Sequence, residues 1–167
     1  MNLWAMNLLL DLKLLLLIAV ANGTPVMATA ALQHRFAYPL DCRLRLGDGQ
    51  PLFGTSKSFR GILLALAATT LAAPLLDLDW RLGTLIATLA MAGDLFSSFL
   101  KRRLKLPSSS MALGLDQLPE SLFPMLGASY FLALTVMDIV VVVALFFVGE
   151  LVLSRLLFRL HLRSQPY

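Results

Sequence analysis

The sequence predicts an all-α, polytopic integral membrane protein with about five transmembrane helices and two cytoplasmic loops. Three observations carry that prediction. Of the 167 residues 58% are apolar and only 14% charged, with a mean hydropathy of +0.78, whereas soluble domains average about 45–50% apolar and about 25% charged. Five stretches meet or approach the roughly 20 apolar residues that cross a bilayer. Basic residues gather on one side of those stretches, as cytoplasmic loops require. The length allows one membrane domain, residues 1–167. The single cysteine, Cys42, excludes an internal disulfide framework, and His34 and His161 lie too far apart for metal-ligand spacing.

The first predicted helix covers about 3–21 and carries Asp11 and Lys13. A signal peptide would open with positive charge and close on a small-residue cleavage site. The opening residues here are neutral, so a retained span is expected. A cytoplasmic loop of about 22–60 follows, with PLD at Pro39–Asp41 and GDGQPLFGTSKSFRG from Gly47 to Gly61. Its four glycines let the backbone turn tightly and approach a ligand. Lys57 and Arg60 stand where the loop meets the second helix, about 61–76, and a helix N-terminus flanked by base suits a phosphate. A surface turn with positive-inside charge is the plainer alternative, and no Walker A spacing is present.

The third helix, about 82–105, is apolar until Asp94. Asp94, Ser97, Ser98, Lys101 and Lys105 follow at helical spacing and would share one face. Asp94 then lies about 10 Å below Lys101, at membrane depth, where an ionisable group is a functional candidate. The competing reading is a structural ion pair between Asp94 and Lys13. A second loop, about 101–117, leads to Asp116, and Asp116 or its neighbour would cap the fourth helix, about 118–137. The fifth helix covers about 139–158.

Arg35, Arg43, Arg45, Lys57, Arg60, Lys101, Arg102, Arg103, Lys105, Arg155, Arg159 and Arg163 fall on one side, against Arg81 on the other. This predicts a multi-pass protein of the cell membrane with an external N-terminus and a cytoplasmic C-terminus. Asp94 and Asp116 converging from adjacent helix ends would suit a hard cation, since Mg2+ favours one or two carboxylates with phosphate oxygens and water. With Lys57, Arg60 and Lys101 nearby, the pattern reads as metal-plus-base handling of a polyphosphate.

ANGTPV (21–26), PLD (39–41), DGQPLFGTSKSFRG (48–61), GDLFSSFLKRR (93–103) and LDQLPE (115–120) occur in the order found in the CDP-archaeol synthase family, which the chain resembles over about residues 20–125. The last two motifs also resemble the signature of phosphatidate cytidylyltransferases. Where the family reads LDQLD this chain reads LDQLP, with Glu120 one position later. The resemblance implies a nucleotidyltransferase that joins CTP to a membrane lipid phosphate, releasing pyrophosphate, with the bilayer as its surroundings and no nucleic-acid partner. It implies Mg2+ on Asp94 and Asp116, with these two and Lys101 catalytic. Lys57, Arg60, Lys101 and Arg102 would hold the triphosphate, helped by Ser97 and Ser98, and Asn22, Asp41 and Asp48 would shape the nucleotide pocket. A small transporter or channel is the alternative that intramembrane Asp94 and Asp138 suggest, although the five helices show no inverted repeat. A CDP-alcohol phosphotransferase would need a different continuation after Asp48-Gly49, and a non-catalytic nucleotide- or lipid-binding protein is the residual reading.

Overall fold

A computed structural model describes residues 7–33, 35–107, 110 and 112–159. The described residues form five helices: α1 (Leu8–Leu32), α2 (Phe59–Leu75), α3 (Trp80–Arg103), α4 (Gln117–Ala128) and α5 (Val136–Arg159). The described residues contain no strand, only isolated bridges Pro39–Ser58 and Arg45–Pro51 within the first loop. By length and composition α1, α3 and α5 can each cross a membrane, and α2 is a shorter apolar helix.

Three boundaries differ from the sequence expectation, each for a local reason. α1 continues eleven residues past Ala21 to Leu32, although it contains Pro25. Its polar residues bond back within the helix: Asn22 to the Ile18 carbonyl, Thr24 to Val20 and Thr29 to Pro25, so they do not divert the backbone into a turn. α3 stops at Arg103 because Lys105 takes a left-handed φ of 58°. Lys105 N–H then donates to the Arg102 carbonyl and Leu106 N–H to that of Lys101, a Schellman closure, with Pro107 next. Lys105 therefore leaves the helical stripe. α4 ends at Ala128 rather than near 137, after only 12 residues or about 18 Å, which is too short to cross alone. A new helix starts instead. Thr135 Oγ1 accepts the Asp138 N–H at 3.2 Å while Asp138 Oδ2 accepts the Thr135 N–H at 2.7 Å, a reciprocal cap for α5.

α3 packs against α1, α2 and α4, and α5 covers α1 and α4. The main core joins Leu14, Leu17 and Ile18 of α1 to Ala73, Leu82, Ile86, Met125, Val142 and Phe146. A second cluster, Ala21, Ala65, Ala90 and Met91, sits nearer the first loop. Its small side chains let helices approach closely, the usual means of packing where lipid offers no hydrophobic contrast. Leu8, Leu9, Leu12 and Leu16 on α1 and Val140, Val148 and Val152 on α5 face outward.

Among the described glycines the closest approach to another backbone is at Gly93. A Cβ there would lie 2.2 Å from the Pro119 carbonyl oxygen and 2.8 Å from the Glu120 nitrogen, both backbone. No rotamer change can relieve that contact. Gly93→Ala is expected to cost about 1–3 kcal/mol through overpacking, read as a lower thermal unfolding midpoint in detergent. Gly23→Ala, with nothing within 4 Å of its Cβ, is expected to leave the midpoint unchanged or slightly raised.

Candidate active site

Asp94 comes directly after the close-packed glycine, so α3 presents its carboxylate to the start of α4. Lys57, from the end of the first loop, forms an ion pair with Asp94 Oδ1. Lys13 is therefore not the partner of Asp94; it reaches Asp77 at 3.3 Å, at the opposite end of α1 from the first loop. Seven residues along α3, Lys101 pairs with Asp116 Oδ1 at 2.7 Å and donates to the Ser110 carbonyl at 2.9 Å. Asp116 does not cap α4. Its backbone is already helical, and its Oδ2 accepts the Ala112 N–H at 3.0 Å. Gln117 Oε1 accepts the Gly114 N–H at 2.8 Å, tying the preceding turn to the start of α4.

Glu120 joins the two pairs. It lies four residues after Asp116, is buried, and interacts electrostatically with Asp94 and with Glu150 of α5. Burial alone would favour a neutral Lys57 amine. The carboxylates of Asp94, Glu120 and Asp116 outweigh that burial and hold its pKa above the ordinary value. Two lysines and a row of carboxylates thus meet where loop, α3 and α4 converge.

The remaining expected residues take other positions. Asp41 Oδ2 accepts the Phe53 and Gly54 N–H groups at 3.1 and 2.9 Å, and Oδ1 accepts that of Arg43 at 3.0 Å. Asp48 accepts the Gln50 N–H at 3.0 Å and pairs with Arg103 at 2.6 Å. Arg103 also donates to the Pro51 carbonyl at 2.7 Å and lies over the Phe99 ring. Both aspartates therefore fold the loop that ends in Lys57. Arg60 donates to the carbonyls of Gln33 and Arg35, closing the C-terminal end of α1 rather than joining the carboxylates. Ser97 donates to the Gly93 carbonyl at 2.9 Å, Arg102 to that of Pro107 at 2.7 Å, and Ser98 is buried. Asn22 stays on α1, bonded to Ile18.

Comparison with known proteins places this arrangement. A family model described as CarS-like, CDP-archaeol synthase, matches residues 76–167. A CDP-archaeol synthase of Pyrobaculum calidifontis is 34% identical over 153 residues, covering 89% of this chain and 91% of that protein. One from Sulfurisphaera tokodaii is 33% identical, covering 77% and 81%.

The chain belongs to the CDP-archaeol synthase family.

A solved structure described as an intramembrane enzyme for archaeal membrane lipid biosynthesis superposes with a TM-score of 0.75 at 30% identity, covering 85% of this chain and 90% of the other. The match to the CDP-archaeol synthase family model includes Asp94, Lys101, Asp116 and Glu120. Lys57 and its loop precede that match, within the chain that the Pyrobaculum relative covers to 89%.

Among the described residues no three His, Cys, Asp or Glu side chains form a metal cage. The donor set instead fits an ion that arrives with phosphate oxygens and water and needs only one or two carboxylates. Asp94 and Asp116 are that kind of donor, each already facing one positive charge. Three further residues were not singled out as site residues from sequence. Glu120 was detectable by its i, i+4 spacing from Asp116, and Glu150 as a carboxylate in an apolar helix. Arg103 carried no such signal, because its partners are loop carbonyls and Asp48.

The loop carries its own pH dependence. Burial pushes the Asp41 carboxyl up, but the backbone N–H groups of Gly54, Phe53, Arg43 and Asp41 itself outweigh it and hold it below the ordinary 3.8. Asp48 is lowered too, chiefly by the Gln50 N–H and then by Arg103. Their contribution to loop stability is complete above about pH 3.8 and is lost as pH falls through the lowered values. Amide hydrogen exchange at Phe53 and Gly54, corrected for intrinsic rates, is expected to speed up only in that acid range. In Asp41→Asn it is expected to be faster at neutral pH as well.

Proposed function

We propose that this protein transfers the cytidylyl group of CTP to a membrane lipid phosphate of the kind that gives the family its name, forming a CDP-lipid and pyrophosphate. The observation that carries this reading is the pair of carboxylate–ammonium couples, Asp94–Lys57 and Asp116–Lys101, held together in a helical membrane protein of this family. An oxygen of the lipid phosphate forms the new bond to the α-phosphorus as the bond to the β-phosphate oxygen breaks. The nucleophile is already anionic, so neither a general base nor a covalent enzyme intermediate is needed. What the reaction needs is alignment and charge neutralisation.

Asp94 and Asp116 would hold Mg2+, which supplies Lewis-acid polarisation and charge neutralisation at the reacting phosphate. Lys57 and Lys101 turn from their carboxylates to the triphosphate and stabilise the departing pyrophosphate, with Arg102 at the same helix end. Ser97 and Ser98 line α3 beneath them. Asp41 and Asp48 act through the loop, while Arg60 fixes the end of α1 against which the loop folds and Asn22 bonds back within α1. The lipid tails lie along the outward apolar faces of the helices. The positive side of the bundle, with Lys57, Lys101, Arg102 and Arg103, faces the cytoplasm, where CTP is available, and the N-terminus is external.

Two measurements test this. Purified Asp94→Asn and Asp116→Asn proteins, checked for folding by circular dichroism, are expected to lose about 10²-fold or more of CTP-dependent CDP-lipid formation. The double variant is expected to be scarcely worse, since both side chains serve one ion. Full activity in Asp94→Asn would overturn the assignment. For orientation, Ser164→Cys in a Cys42→Ser background is expected to resist membrane-impermeant thiol reagents in intact cells and to react after permeabilisation.

A further inference from the structure

The first loop is bonded to itself along most of its length. Arg45 donates to the Gly49 carbonyl at 2.8 Å, Leu46 N–H to that of Gln50 at 3.0 Å and Leu52 N–H to that of Leu44 at 3.1 Å, which closes a turn around Asp48. Asp41 accepts the Phe53 and Gly54 N–H groups, and Leu40 N–H donates to the Lys57 carbonyl at 2.8 Å. Residues 40–57 therefore form one hydrogen-bonded piece, and Lys57 rides on the same piece as Asp48.

That piece meets α3 at two levels. Lys57 reaches Asp94. Nine residues further along α3, about 13 Å at helical rise, Arg103 grips the turn. Its Nη1 pairs with Asp48 Oδ2 at 2.6 Å, and its Nη2 donates to the Pro51 carbonyl at 2.7 Å and to that of Gln50 at 3.4 Å. The guanidinium lies 5.3 Å from the centre of the Phe99 ring, one turn back on α3. A partly exposed ion pair contributes little alone. The two carbonyls add more, because a planar fork that meets three acceptors fixes direction as well as distance. A single attachment would let the loop swivel about α3, whereas two define its setting.

Substrate would treat the two attachments differently. In cytidylyl transfer Lys57 leaves Asp94 for the triphosphate, so that tie is given up when CTP binds. The Arg103 tie uses loop carbonyls and an aspartate outside the row of Asp94, Asp116 and Glu120, and it persists. We propose that, given cytidylyl transfer, Arg103 is a positioning residue for it: Arg103 holds the first loop on α3 while Lys57 is on the phosphates, and so sets where the Lys57 ammonium stands.

A double-mutant cycle on the purified full-length protein, read as CDP-lipid formed from radiolabelled CTP, tests the role. Arg103→Gln keeps part of the stem over Phe99 but loses the charge and the fork. It is expected to lower kcat/KM for CTP about 10-fold, the size of an ordinary coupling between residues that share a network. In a Lys57→Ala background the same change is expected to cost less than about twofold, because no ammonium is left to position. A tenfold loss in both backgrounds would mark a merely structural role, and no loss in the wild-type background would mark none; either overturns the proposal. Hydrogen exchange gives a readout that needs no turnover. The Gln50 and Leu52 amides, bonded to Asp48 and to the Leu44 carbonyl, are expected to exchange faster in Arg103→Gln at neutral pH, and unchanged rates overturn the proposal. Where turnover cannot be read, in the wild type or in Lys57→Ala, exchange decides alone; a wild type without turnover also ends the functional reading on which the role of Arg103 rests. If Arg103→Gln does not fold, Arg103→Lys, which keeps the charge but not the fork, takes its place in both measurements and is judged in the same way.

Discussion

The arrangement of this molecule depends on one backbone contact, that of Gly93 with the Pro119–Glu120 peptide. With no side chain between them, α3 and α4 approach until a Cβ would stand 2.2 Å from a carbonyl oxygen. That approach brings Asp94, the next residue, against Glu120. It also puts Lys101, two helical turns further along α3, against Asp116. Lys57 then completes the assembly and ties the first loop to α3. The order of causes runs from a missing methyl group to a shared electrostatic site.

Charge balance explains why that site can exist in an apolar bundle. A buried carboxylate without a partner is costly, and pairing offsets the loss of hydration only when further hydrogen bonds are made. Asp116 has both, through Lys101 and the Ala112 N–H. Lys57 in turn feels Glu120 and Asp116 as well as its partner Asp94, and together they outweigh its burial and hold its pKa above the ordinary value. In the proposed reaction, a ligand that brings its own phosphates would draw the lysines away while an incoming cation takes over the carboxylates.

Much of this was legible in the sequence. The helical spacing that puts Asp94, Ser97, Ser98 and Lys101 on one face survives in the fold, and Asp116 arrives opposite it. What spacing could not show is which base meets which acid. Lys13 and Lys57 were both available to Asp94, and the choice depends on which end of α1 each helix meets. Helix ends were the other gap. Asn22, Thr24 and Pro25 look like a loop, yet back-bonding hydroxyl and amide groups carry α1 through them. The apolar run beyond Ala128 looks like continuing helix, yet the Thr135–Asp138 cap starts a new one. Arg60 reads as a phosphate ligand beside a glycine loop, and in the fold its guanidinium bonds the carbonyls of Gln33 and Arg35, just past the end of α1, which spacing alone does not show.

The short helices on either side of α3 have a consequence for the membrane itself. At 1.5 Å per residue, α3 is about 36 Å long, α2 about 26 Å and α4 about 18 Å. Against a hydrocarbon layer of about 30 Å, the flanks of α3 are mismatched in the direction that thins the surrounding leaflet. A bilayer that thins beside those flanks would bring headgroups toward the depth of the Asp94 carboxylate, so the helix lengths alone make the protein sensitive to membrane thickness.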